Sequence, residues 1–274
     1  MPHLMLPEHQ LFYQVDGGDT DEASSKPWLV FCNSLGTDLT MWDRQVGYLS
    51  KTYRILRYDR RGHGRSTAPL SPFALSDLGT DVLSLFDALG IDRSHFCGLS
   101  IGGLTGLWLC VNARDRLDRV ILSATSARIG SAENWNARMS AVRAHGLGGL
   151  ASATRDRWFS AAFAVREAEA VQHILDVFEA TSINGYVGCC AALADGDLRE
   201  EIDRISNPLL AISGDDDPVC PPSDLVAIAE AVQDGRHVSL PGRHLVNVEA
   251  YEAFNAVLTD FLTCSASAED VAVL

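Results

Sequence analysis

The sequence contains no apolar run approaching the roughly 18 residues that a membrane-spanning helix requires. Its N-terminal MPHLMLPEHQ has neither the basic segment nor the apolar core of a secretory signal. Cysteine occurs seven times, yet never as a CxxC pair or in the Cys/His spacing of a zinc site. An odd number of thiols, with Cys32, Cys97 and Cys110 inside apolar segments, reads as small buried residues in a reducing cytoplasmic compartment, not as a disulfide framework. Basic charge is scarce: 22 Lys and Arg against 36 Asp and Glu give a net charge of −14, which argues against a nucleic acid or an anionic membrane surface as partner. There is no internal repeat. With 47 % hydrophobic residues over 274 positions, the chain has the material for a sizeable core, which sets aside the fibrous and disordered classes.

What is present is alternation. LFYQVDG, PWLVFCNS, YRILRYDRRGHG, HFCGLS, RVILSAT, PLLAISG and RHVSLPG are apolar or alternating runs bounded by turn-forming residues, and they predict strands. Helical patterns such as LSDLGTDVLSLFDALG lie between several of them. This order predicts an α/β protein with a mostly parallel central sheet and helices on both faces, opened by an antiparallel edge around residues 2–16. The rhythm breaks from about Ser131 to Leu198, where the pattern is nearly all helical. We therefore expect a core in two parts, 1–127 and 206–264, with a helical cap at 128–205 inserted between them. Residues 16–27 are expected to form a polar surface loop and 265–274 a flexible tail.

Gly98-Leu99-Ser100-Ile101-Gly102 fits the G-x-S-x-G elbow, in which a sharp strand-to-helix turn lifts a serine hydroxyl to a helix N-terminus. The plain alternative is a helix N-cap serine. As a nucleophile, Ser100 needs a base, and the base needs an acid to orient it. In chain order an acid follows a later strand at GDDDP, and a histidine follows the strand HVSLPG. Asp217 and His244 are the expected partners, with Asp215 and Asp216 as turn-formers. His63 precedes the serine and is expected to brace a loop. Backbone N–H groups of Ile101 and Leu35 are the expected oxyanion donors, each worth roughly 3 kcal/mol in the transition state.

NSLGTDLTMWD, LRYDRRGHGRS, HFCGLSIGG, ENWNARMSAVRAHG, GYVGCCAALADGDLR and RHLVNVE together resemble the 3-oxoadipate enol-lactonases, serine-dependent enzymes of the α/β-hydrolase fold. The elbow and triad are shared by a large superfamily and speak only to mechanism. The segment Asn33 to Asp43 and the motifs around Trp135 and Cys189-Cys190 are the specific signal. Many relatives carry His-Gly where this chain has Asn33-Ser34. The resemblance implies hydrolysis of a five-membered enol-lactone in aromatic-compound breakdown, with no metal and no organic cofactor. The implied partner is a small lactone bearing a carboxylate, and a homo-oligomer is compatible with the sequence.

Such a substrate needs a local cation. Between Arg128 and Arg157 lie five arginines and two acids, a net +3 in an acidic chain. Trp135 and Arg138 are three apart and share a helix face, so they are expected to contact substrate, with Arg128 and Arg143 next in line. The same scaffold also carries carboxylesterases, haloperoxidase-like proteins and carbon–carbon hydrolases, and a ligand receptor that merely retains the triad is the reading from another class.

Overall fold

A computed structural model describes residues 2–18, 26–70 and 72–263. The expected tail at 265–274 and residues 19–25 of the expected polar loop lie outside these. Eight strands form one sheet: β1 (His3–Met5), β2 (Gln10–Asp16), β3 (Trp28–Cys32), β4 (Arg54–Tyr58), β5 (Ser94–Leu99), β6 (Leu117–Ser123), β7 (Leu209–Gly214) and β8 (Gly235–Leu240). Their spatial order is β1-β2-β4-β3-β5-β6-β7-β8. β1 and β2 are antiparallel to their neighbours, and every pairing from β4 to β8 is parallel.

The sequences of the central strands explain their place. β3, WLVFC, and β7, LLAISG, are buried almost throughout, because a parallel strand covered on both faces needs continuous apolarity. β8 is only partly buried, as befits an edge. Around the sheet pack α1 (Asp43–Leu49), α2 (Leu75–Leu89) and α3 (Ile101–Asn112). In α2 the apolar residues recur at helical spacing and bury Leu75, Leu78, Val82, Leu85 and Phe86.

Between β6 and β7 the described chain has helices and no strand: α4 (Ala132–His145), α5 (Ala151–Trp158), α6 (Ala161–Arg166), α7 (Ala168–Ala180) and α8 (Ile183–Asp195). α9 (Pro222–Ala231) follows β7, and α10 (Val246–Glu249) and α11 (Tyr251–Thr263) follow β8. None of the described helices is long and apolar enough to cross a membrane.

Two polar knots tie segments that flank the sheet to one another. Gln45 of α1 donates to Asn247 O at 2.9 Å and to Asn255 Oδ1 at 3.0 Å, and Asn247 Nδ2 donates to Met41 O at 2.9 Å. On the other flank Arg61 binds both oxygens of Asp81 at 2.7 Å, with His9 on the same carboxylate at 3.0 Å. Because β3, β5, β7 and β8 all run the same way, the segments that leave them open at one end of the sheet, where ligand sites of such sheets form.

Candidate active site

Ser100 leaves β5 and precedes α3 with φ 60° and ψ −121°, a conformation that a residue with a side chain holds only under constraint. The constraint is hydrogen-bonded: Ser100 N–H donates to Ser123 O at 2.9 Å, and Ser100 O accepts from Leu104 N at 2.9 Å and Thr125 Oγ1 at 2.7 Å. The flanking glycines are steric necessities. A Cβ on Gly98 would run into the Gly102 carbonyl, and one on Gly102 into the carbonyls of Cys32 and Asn33. Gly102→Ala is therefore expected to destabilise the fold by about 1–3 kcal/mol, as overpacking against rigid backbone does. The midpoint of urea unfolding measures it, and an unchanged midpoint would contradict this account of the elbow.

His244 is 2 % exposed, and its Nδ1 lies 2.9 Å from Asp217 Oδ2. With the proton on Nδ1 and donated to the carboxylate, Nε2 is left as the basic atom. The other Asp217 oxygen accepts from Val219 N at 2.8 Å and Cys220 N at 3.2 Å, so both carboxylate oxygens are engaged. The neighbouring acids do other work. Asp215 Oδ1 accepts from Gly242 N at 3.0 Å, and Asp216 pairs on the surface with Arg243 at 2.8 Å. His63 is buried with Nδ1 3.2 Å from Arg61 O, and burial beside Arg60 lowers its pKa to about 3, so it stays neutral.

Ser100 and His244 share a cavity of about 230 Å³ with Ser34 and Leu35 from the loop after β3. That volume suits a substrate smaller than a drug-sized ligand. Ile101 opens α3, where the first N–H groups of a helix lack an intrahelical acceptor and point outward. The loop carrying Leu35 is held by Asn33, whose side chain donates to Tyr58 O at 2.8 Å and accepts from Trp42 Nε1 at 3.0 Å. These bonds give the Asn33-Ser34 departure a structural reason: the amide ties β3 to β4 and to the turn over Leu39–Trp42.

The far wall comes from the inserted helices. Trp135 and Arg138 of α4 both line the cavity, and the indole N–H of Trp135 donates to Ile129 O at 2.6 Å. Arg138 lies beside Tyr186, whose hydroxyl pKa is pushed up to about 12 by burial and held back by the neighbouring guanidinium charge. Arg157 of α5 lines the same wall, and its pKa is lowered first by burial and then by the charge of Arg138. Among the described residues that line the cavity none is a carboxylate. Cys189 and Cys190 are buried within α8.

The structure corrects the order of the remaining arginines. Arg128 pairs with Asp197 at 3.2 Å, and Arg143 is exposed, so neither follows Arg138 as a cavity residue. Arg157 takes that place. Five arginines look alike in sequence, and only the folded position of α5 shows that this one faces the cavity.

Residues 27–155 match the family model for the alpha/beta hydrolase fold. The chain is 41 % identical over 232 residues to 3-oxoadipate enol-lactonase 2 of Acinetobacter baylyi, covering 85 % of this chain and 87 % of that one. The chain belongs to the 3-oxoadipate enol-lactonase family of α/β hydrolases. Enol-lactonase 1 of the same organism is 39 % identical over 236 residues, covering 86 % and 88 %. In three dimensions the chain is similar to the enol-lactonase from Burkholderia xenovorans LB400, with a TM-score of 0.93 at 44 % identity over 96 % of this chain and 100 % of that one.

Within this enol-lactonase fold the described residues hold one cluster with metal-ligating atoms in reach of one another: Asp217, Cys220 and His244, within 4.8 Å. Two of the three already bond each other, and burial pushes the Cys220 thiol well above its ordinary pKa, which keeps it protonated. A metal here would have to break the histidine–carboxylate bond.

Proposed function

We propose that this chain hydrolyses the enol-lactone of 3-oxoadipate to 3-oxoadipate through an acyl-enzyme on Ser100, with residues 128–205 acting as a cap over the site. The observation that carries the reading is a nucleophile elbow facing two guanidiniums, Arg138 and Arg157, in a cavity whose described lining holds no acid.

His244 Nε2 takes the Ser100 proton as Oγ attacks the lactone carbonyl. The carbonyl oxygen becomes an anion and is received by the Leu35 and Ile101 N–H groups. The ring C–O bond then breaks, the departing enol oxygen takes the proton from His244, and the enol tautomerises to a ketone. Tautomerisation removes the leaving group as a nucleophile, so the ring does not reclose. Water then gives a proton to His244 and attacks the acyl carbon, and collapse of the second tetrahedral species returns that proton to Ser100 and frees the acid. Asp217 stabilises the imidazolium in both halves.

Two guanidiniums facing each other without an anion repel, and a substrate carboxylate between them relieves that repulsion. A buried Arg–carboxylate contact contributes about 1.5–3 kcal/mol. Arg138→Ala and Arg157→Ala are each expected to lower kcat/KM for the carboxylate-bearing lactone by about tenfold or more. The loss should exceed that on an uncharged aryl ester at least tenfold. Arg138→Lys should also lose, because the planar fork is gone. The check is the decay of enol-lactone absorbance against release of the aryl alcohol. Equal losses on both substrates would assign the arginines to cap architecture. A wild-type protein that turns over simple esters faster than the lactone would favour the carboxylesterase reading.

A further inference from the structure

Beneath the oxyanion loop lies a charge that the chemistry above does not use. Arg60, two residues beyond β4, is 1 % exposed. Burying a guanidinium is expensive unless a carboxylate balances it. Among the described residues, however, its polar contacts are all with neutral groups. Nη2 donates to Asn33 O at 2.6 Å and lies 3.5 Å from Cys32 Sγ, and Nη1 is 3.4 Å from Thr105 Oγ1. Nε has no partner there. Asp59, next to it in the chain, is turned away to accept from Leu39 N at 2.8 Å and Arg65 N at 2.9 Å. The nearby Tyr58 hydroxyl is kept protonated by its burial.

These contacts reach both halves of the oxyanion site. Asn33 leads through Ser34 directly to Leu35. Thr105, on the other side, donates its hydroxyl to Ile101 O at 2.7 Å. One guanidinium thus touches the backbone of the first donor segment and, through a single hydroxyl, that of the second.

We propose that Arg60 is a positioning residue that fixes the two oxyanion donors and supplies the buried counter-charge for the tetrahedral intermediate. This rests on the reading of Ser100, Leu35 and Ile101 given above. Among the described residues the cation touches no carboxylate in the resting protein, and it gains an anionic partner only when attack on the carbonyl creates one. An interaction stronger in the transition state than in the ground state raises kcat and does not lower KM. A side chain placed here for packing alone would do better apolar, since an apolar replacement of similar volume at a buried charge is often neutral or stabilising.

The test compares the wild type, Arg60→Met, Arg60→Lys and Ser100→Ala. The probes are butylboronic acid, which forms a tetrahedral anionic adduct with a nucleophilic serine, and adipate, a ground-state dicarboxylate that forms none. For Arg60→Met we expect kcat on the enol-lactone to fall about 10- to 100-fold with KM within about threefold of wild type. Boronic acid affinity should fall at least about fivefold further than adipate affinity, and the Tm should be no lower than that of the wild type. Arg60→Lys, which keeps the charge, should recover most of both losses. A Met variant that keeps its kcat, loses both probes equally, melts earlier or fails to fold overturns the inference and makes Arg60 architectural. Ser100→Ala separates the two ideas. If the wild type forms the boronic adduct and Ser100→Ala does not, the nucleophile stands whatever Arg60 does. If the wild type forms none, the nucleophile falls and the inference with it.

Discussion

Ser100→Ala is expected to fold as the wild type does while its turnover of the enol-lactone drops by at least about three orders of magnitude. The backbone at this position is held at φ 60° by a bond donated to Ser123 O and bonds accepted from Thr125 and Leu104, none of which involves the hydroxyl. Alanine accepts the same strained conformation on the same terms, so circular dichroism and the Tm should hardly change. What is lost is the hydroxyl proposed to attack the lactone carbonyl. The proposed oxyanion donors and the arginine wall survive, so binding of adipate should persist and a residual rate above water should remain. The measurement is kcat from lactone absorbance on a variant shown to be folded. Activity within tenfold of wild type would refute covalent catalysis at Ser100.

Asp217→Asn is expected to cost turnover about three to four orders of magnitude. The asparagine oxygen can still accept from the Val219 and Cys220 N–H groups. Its NH₂ then faces His244 Nδ1 and donates to it, which moves the imidazole proton to Nε2, the wrong nitrogen for a base. Geometry is preserved and the tautomer is inverted, so the loss should appear in kcat without a comparable loss of stability. Asp215→Asn and Asp216→Asn should be far milder, because Asp215 receives only the Gly242 N–H and Asp216 holds a surface pair with Arg243. If either of these proves the sensitive position, the assignment along GDDDP is wrong while a serine–histidine mechanism survives.

The strands were legible because burial on both faces leaves a mark in composition. VFC, FCGL and LLAIS have few other places to go in a protein of this size. The elbow was legible because its residue pattern fits in a five-residue window, where Gly98 answers to the Gly102 carbonyl, although Gly102 itself answers to the distant carbonyls of Cys32 and Asn33. The arginines were not. Arg138 was reachable through its spacing from Trp135, but Arg157 sits in RDRW beside Arg155, which pairs with Asp156 on the surface at 2.8 Å. Which of the two turns inward is decided by the packing of α5, a long-range fact that no window holds. Arg60 was hidden for a related reason. Nothing local in DRRGHG says that Arg61 meets Asp81 while Arg60 meets carbonyl, thiol and hydroxyl. The role of Asn33 was equally invisible, since its partners Tyr58 and Trp42 come together only when β3 pairs with β4.

The knot that joins Gln45 to Asn247 and Asn255 spans 202 and 210 positions of chain. Seen during synthesis, that span sets a schedule. A ribosome delivers the elbow and the Leu35 loop long before His244, and loop closure over such a distance is slow compared with local helix formation. Until Asn247 has emerged, the segment that carries His244 lacks its bonds to Met41 and Gln45 beyond β3, and Asn255 adds a further tie only later. A growing chain therefore holds a strained serine without its proposed base, and hydrolytic competence should arrive in one step once the segment through Asn247 has emerged and docked.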